Sequence, residues 1–264
     1  MTLDVYISSG LMIFQLIVQL VILLYSIRLK RIHPVLKLMY ILWMLSFFAS
    51  NLYYLIHELQ NKGMYLPLSV MEIVNLGIYM LLPFGLEYNF LFKINEPTKI
   101  GIAGAIFGAL NVALWILWSG SWLGNLLNAP SFMFLMFVCA RSLEESNAVT
   151  KLEWIFFFVA AVIVCAGNTV LCYIDEPLYT VIDTLTYIIL FAFTLYIFFK
   201  TVDAISRGYA DKALALSLSA YAMSLVSMYL SYEPLYYIAD FELTISMILT
   251  CLAVRKKERE AAES

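Results

Sequence analysis

The chain has 264 residues, 63% of them hydrophobic and 13% charged, with a formal net charge of −3 and a mean hydropathy of +0.86. Charged residues make up about a quarter of an ordinary soluble domain, so this composition excludes a water-soluble globular fold and requires lipid as the solvent. The apolar runs are continuous over roughly the 18 to 25 residues of a spanning helix, not alternating over the roughly 10 residues of a barrel strand. An all-α, polytopic transmembrane bundle is therefore expected.

Residues 1–9 carry Asp4 and no base before the first apolar run, so they do not read as a cleavable signal, and the first helix is expected to be retained. In chain order, apolar runs and polar breaks predict helices at 5–27, 34–57, 66–92, 99–118, 121–140, 152–173, 177–199, 212–231 and 234–254. These form a single transmembrane domain over 1–254, followed by a short charged tail over 255–264 that reads as a helical extension of the last span. The break at Trp118-Ser-Gly-Ser-Trp122 divides a stretch too long for one span and long enough for two.

Basic residues collect on cytoplasmic connections. With nine spans, the N-terminus outside and the C-terminus inside, fifteen of the sixteen Lys and Arg residues fall on the inner side, Arg141 among them, and Lys62 alone falls outside. The outer half then holds nine acids against that one base, a negative field that concentrates cations. Short basic inner loops fit a bacterial cytoplasmic membrane.

An internal echo singles out the candidate site. Glu176-Pro177-Leu178-Tyr179-x-x-x-Asp183 returns as Glu233-Pro234-Leu235-Tyr236-x-x-x-Asp240, five identities in eight positions at matched places in two helical hairpins. Weaker echoes at Leu66-Pro67-Leu68 with Glu72, and at Ala129-Pro130, extend this to tandem hairpin repeats behind one leading helix. Glu-Pro is a sound helix start, because proline lacks an N–H that would be unpaired there anyway and an acid faces the positive end of the helix dipole. Asp183 and Asp240 are different: six residues past their prolines, about 9 Å along a helix, they fall below headgroup level. Carboxylates at that depth must face a bundle interior or a wet cavity. Tyr179 shares a helix face with Asp183, and Tyr236 with Asp240.

Glu72 and Glu242 add further acids within spans, while Asp240 and Glu242 lie about 200° apart around one helix and cannot face one narrow cavity. Gln15, Gln19, Asn51, Asn111 and Asn168 read as interhelical hydrogen-bonding groups. Gly104-x-x-x-Gly108 reads as a close-packing contact within the bundle, and Pro83 with Gly85 as a kink ahead of Glu87. Tyr53, Tyr54, Tyr65, Trp118, Trp122, Tyr173, Tyr232 and Tyr237 read as an outer aromatic belt.

No motif spells a catalytic centre, cofactor or metal site. Every lysine is at a helix end or in a connection, which leaves no Schiff-base lysine within a span. The two histidines are on opposite sides of the membrane, no Cys-x-x-Cys occurs among the four cysteines, and there is no phosphate loop. Two functional readings remain. One is a membrane sensor or binding module whose acidic outward pocket takes a small cationic ligand and whose inner face meets a cytoplasmic signalling partner, a layout similar to the multi-span input regions of bacterial signalling proteins. The other is a small secondary transporter or channel-like protein for a cation or amine-bearing substrate. For both, the candidate ligand-binding residues are Asp183, Asp240, Tyr179, Tyr236, Glu176, Glu233, Glu72 and Glu242. The bilayer is the certain partner, and no nucleic acid is expected.

Overall fold

A computed structural model describes residues 3–60, 70–91, 97–119, 122–175, 177–230 and 233–263. Within these, the side chains of residues 3–5, 58, 70–73, 89–91, 118–119, 229–230 and 233–234 are left undescribed. The described residues form nine helices and no strand: α1 (Leu3–Ile27), α2 (Pro34–Leu59), α3 (Val70–Leu91), α4 (Lys99–Ser119), α5 (Trp122–Glu145), α6 (Lys151–Leu171), α7 (Leu178–Arg207), α8 (Ala210–Leu230) and α9 (Glu233–Glu263). Seven of them, all but α3 and α8, are long and apolar enough over their described residues to cross a membrane. The outward faces match: Ile13, Ile17, Leu20, Val21 and Leu24 line α1, and Ile155, Phe156, Phe158, Val159 and Val162 line α6, all exposed. Contiguous apolar surface on this scale belongs against lipid, and the whole is the make-up of a multi-pass integral membrane protein.

The helix ends explain where the structure outruns the apolar runs. α5, α7 and α9 continue past 140, 199 and 254 because their polar ends are paired along the helix or against neighbours. Arg207 bonds Asp203 at 2.8 Å one turn back, and α7 stops only at Gly208, whose φ of +88° is a left-handed cap that a side chain would resist. α6 starts with a reciprocal capping box: the Glu153 amide donates to the Thr150 hydroxyl at 3.4 Å and the Thr150 amide to the Glu153 carboxylate at 2.6 Å.

The centre of the bundle is α8, sheathed by α5, α7 and α9. From Ala213 to Ala222 every residue is buried. Its many small residues permit that, and the hydroxyls of Ser219 and Ser224 return to backbone carbonyls one turn back, at 2.9 Å each. α4 lies tightly on α5: a Cβ added at Gly104 would stand 2.5 Å from the Met136 carbonyl oxygen, so this small-residue motif is a contact inside the bundle. α3 runs unbroken through Pro83, and Gly85 brings it against Met39 of α2.

The proline echoes divide. Pro177 immediately precedes α7 and Pro234 is the second residue of α9, both at helix starts. Pro130 is instead well inside α5, so the Ala129-Pro130 echo does not share that position. Pro67 lies outside the described residues.

Candidate ligand site

Asp240 sits in the eighth position of α9, where the helix crosses α1. It is 8% exposed. Gln15 of α1 donates from its amide nitrogen to the Asp240 carboxylate at 2.7 Å and to the Asp240 carbonyl at 3.0 Å. Asn51 of α2 in turn donates to the Gln15 amide oxygen at 2.6 Å. Three helices are thus joined by a chain of amides that ends on one carboxylate. The amides are neutral, so this chain fixes the carboxylate's position without cancelling its charge.

Beside this chain lies a cavity of about 410 Å³, within the usual size of small-molecule sites. Its walls come from the start of α1 (Ser8, Met12, Gln15), the end of α2 (Ser50, Asn51, Tyr54), the start of α3 (Asn75, Tyr79), the end of α8 and the start of α9 (Tyr236, Tyr237, Asp240). All are at one end of the bundle. Among the described residues, Asp240 is the sole charged group of the lining, and four phenols, three amides and two serines share the rest with apolar side chains. A carboxylate among tyrosine rings suits an ammonium or another monovalent cation, which gains from both the charge and the ring faces.

The inner end of the cavity is closed by rings. Phe47 lines it, and one turn further along α2 Trp43 meets both Phe47 and Tyr221 of α8 edge-on, with centroids 5.4 and 5.1 Å apart. The Trp43 indole and the Tyr221 hydroxyl both donate to the Ile78 carbonyl, at 3.2 and 2.8 Å. Trp43, Tyr40 and Tyr221 are fully buried. Within this layer the bundle is packed solid.

The remaining sequence candidates scatter. Tyr236 joins Asp240 in the cavity, as their shared helix face requires. Glu242 points the other way, toward α7, where the Tyr187 hydroxyl donates to one of its oxygens at 3.2 Å; its other oxygen has no hydrogen-bond partner among the described residues. The 200° separation from Asp240 therefore holds. Asp183 lies on the buried face of α7 at 2% exposure and lines neither this cavity nor the apolar cleft lined by α4 to α8. Tyr179 stands one turn before it on α7. Glu72 and Glu233 fall where only the backbone is described, and Glu176 lies outside the described residues. Among the described residues, no group of three His, Cys, Asp or Glu is arranged to hold a metal ion.

Other polar features depart from the sequence reading. Gln15 and Asn51 are interhelical glue, as expected, but the group they hold is the candidate carboxylate. Asn111 bonds the Phe107 carbonyl of its own helix at 2.8 Å and joins no helices by that bond. Tyr54 and Tyr237, expected in the aromatic belt, line the cavity. Arg141, expected in an inner connection, is buried at 2% exposure on α5, 2.6 Å from Glu87 of α3 and 2.6 Å from Glu145 one turn on. The i to i+4 spacing of Arg141 and Glu145 was readable; the meeting with Glu87 was not, because nothing local fixes which face of α3 turns to α5.

No protein-family model matches this chain, and the searches of curated proteins and of solved structures likewise find no match, so its site is read from its own geometry.

Proposed function

We propose that the protein is a membrane-embedded sensor or binding module that takes a small cationic or amine-bearing ligand in the cavity beside Asp240. The observation that carries this reading is the Asn51–Gln15–Asp240 chain, which holds a carboxylate of uncancelled charge against a ligand-sized space ringed by Tyr54, Tyr79, Tyr236 and Tyr237. In the orientation drawn from the basic residues, with nine spans, the N-terminus outside and the C-terminus in the cytoplasm, this cavity is at the outer end.

α9 supplies a route inward. It is one helix of 31 residues, and 18 residues past Asp240, about 27 Å along the axis, Glu258 accepts from the Lys30 amide at 2.7 Å. Glu260 accepts from the Ala210 amide at 3.1 Å, and Lys257 pairs with Asp211 at 2.7 Å. The tail of α9 is therefore tied to the α1–α2 and α7–α8 connections, where a shift of the helix on ligand binding would alter the surface offered to a cytoplasmic partner. A bacterial cytoplasmic membrane suits this arrangement.

Secondary transport is the second reading, and Glu242 favours it: a second buried carboxylate on α9 is a station a coupled ion would need. The Trp43–Phe47–Tyr221 layer weighs against it. The two readings separate in liposomes given choline, putrescine or Na⁺, with wild type compared with Asp240→Asn and Asp183→Asn. The sensor reading expects ligand-dependent stabilisation without uptake, lost in Asp240→Asn. Uptake that disappears in either variant would replace it with transport.

A further inference from the structure

A second and larger space lies on the other side of the molecule. It is a cleft of about 730 Å³ whose walls are α4 and α6 and whose floor is formed by α5, α7 and α8. The floor residues Cys139, Leu190, Ile197 and Ala222 are buried, as is Val164 on the inner side of α6, while the rim residues Ile106, Leu110, Phe158 and Val162 are exposed. The cleft is thus open along its flank, between two helices whose outward faces belong against lipid. The polar atoms of its floor are spoken for within the protein: the Ser219 hydroxyl donates to the Ala215 carbonyl at 2.9 Å and the Cys139 thiol to the Leu218 carbonyl at 3.6 Å. Water entering it would find no partners, and apolar spaces of this kind take apolar occupants.

The cleft has one charged lining residue, and it is at one end. Lys99 is the first residue of α4, exposed, and engaged in no hydrogen bond or ion pair among the described residues. It is joined there by the first turn of α4, whose amides carry the positive end of the helix dipole. From Lys99 to Leu110 the cleft follows eleven residues of α4, about 16 Å, close to one leaflet of a hydrocarbon core about 30 Å thick. Trp154 lines the cleft near the start of α6, the level at which amphipathic rings meet headgroups. Of the other cations on these elements near that end, Lys200 is held by Glu153 and Arg141 by Glu87 and Glu145, at 2.6 Å each, and Lys151, the exposed first residue of α6, does not line the cleft.

From this combination of an apolar, flank-open cleft one leaflet deep and one cation, Lys99, lining its headgroup end among the described residues, we infer that the cleft binds an acyl chain of an anionic phospholipid, with the phosphate at Lys99 and the start of α4. On the orientation drawn from the basic residues, the lipid comes from the cytoplasmic leaflet. The inference rests on the membrane reading of the chain and is independent of the Asp240 cavity.

The test uses full-length protein in phosphatidylcholine vesicles containing increasing fractions of either phosphatidylglycerol or phosphatidylcholine brominated on the acyl chain. The signal is the part of the tryptophan fluorescence that Trp154→Phe removes. The expected result is half-maximal quenching at a brominated phosphatidylglycerol fraction at least threefold below that for brominated phosphatidylcholine. Lys99→Gln, a change at an exposed position, is expected to abolish the threefold difference, and Ala161→Phe, which fills the cleft from α6, to lower quenching at saturation. Equal quenching by the two lipids in wild type would overturn the proposal, since it would mean general contact with bulk lipid. So would an Ala161→Phe protein that folds and quenches as wild type does.

Discussion

Two buried ionic regions of this protein solve the same physical problem in opposite ways. At Arg141 the charges are closed on themselves: the guanidinium meets Glu87 and Glu145 at 2.6 Å each, three helix turns are pinned together, and all three side chains are nearly out of contact with solvent. At Asp240 the carboxylate is held by the neutral amide of Gln15, backed by Asn51, and opens on a cavity of about 410 Å³. A buried charge requires a counter-charge, hydrogen bonds or access to water. The first region takes its counter-charge from the chain and so has nothing left to offer a ligand. The second is oriented by hydrogen bonds and, among the described residues, has no protein counter-charge in its cavity lining, which is the property expected of a cation site. Depth in the membrane alone does not make an acid functional; what distinguishes these two is who supplies the opposite charge.

The largest effect expected from this contrast is at the closed region. Arg141→Met leaves Glu87 and Glu145 facing each other without their cation, and losing one partner of a buried ion pair costs about 3–5 kcal/mol. Unfolding in detergent by heat or denaturant should register a loss on that scale. Replacing all three residues by apolar ones of similar volume should restore most of it. A single Arg141→Met protein as stable as wild type would mean the triad is wet and the contrast false.

A smaller effect is expected at the open region. Gln15→Leu removes the donor to Asp240 and frees the Asn51 amide, a loss of about 1–3 kcal/mol for a hydrogen bond to a charged group, with the lower end expected because the cavity lets water take the donor's place. Asp240→Asn should change stability by less still, since an Asn carbonyl can accept from Gln15 in the same position. A destabilisation by Asp240→Asn as large as that by Arg141→Met would reduce Asp240 to a structural residue.

Much of the fold was legible because hydropathy and length are read locally. Among the described residues the helices start within a few residues of where the apolar runs begin, the predicted start of α3 at 66 lying outside them, and Gly104 makes the helix contact its motif implies. Helix ends were less legible: α7 continues to Arg207 through residues too polar for a span, because a helix does not stop where lipid does but where a cap such as Gly208 stops it. For the site, sequence reached Asp240 and Tyr236 through the Glu-Pro-Leu-Tyr echo and separated Glu242 from them by helix geometry. It paired Asp240 with Asp183 on similarity of sequence, whereas the cavity takes its other groups from α1, α2 and α3. Gln15, Asn51, Tyr54 and Tyr79 lie 161 or more residues from Asp240 in the chain, and no period or motif announces that they converge. Convergence of that kind is set by which faces of which helices pack together, and α8, buried at every residue from Ala213 to Ala222, decides much of it.

The most direct test of the central claim is chemical modification of the carboxyl groups. Protein in vesicles would be treated with a hydrophobic carbodiimide in the absence and presence of choline, putrescine or Na⁺, and the modified residues identified by mass spectrometry. The contrast predicts that Asp240 is modified while Glu87 and Glu145, closed on Arg141, are spared, and that at least one of the cations protects Asp240. Modification of Glu87 and Glu145 to the same extent as Asp240, or labelling of Asp240 that none of the cations alters, would contradict it.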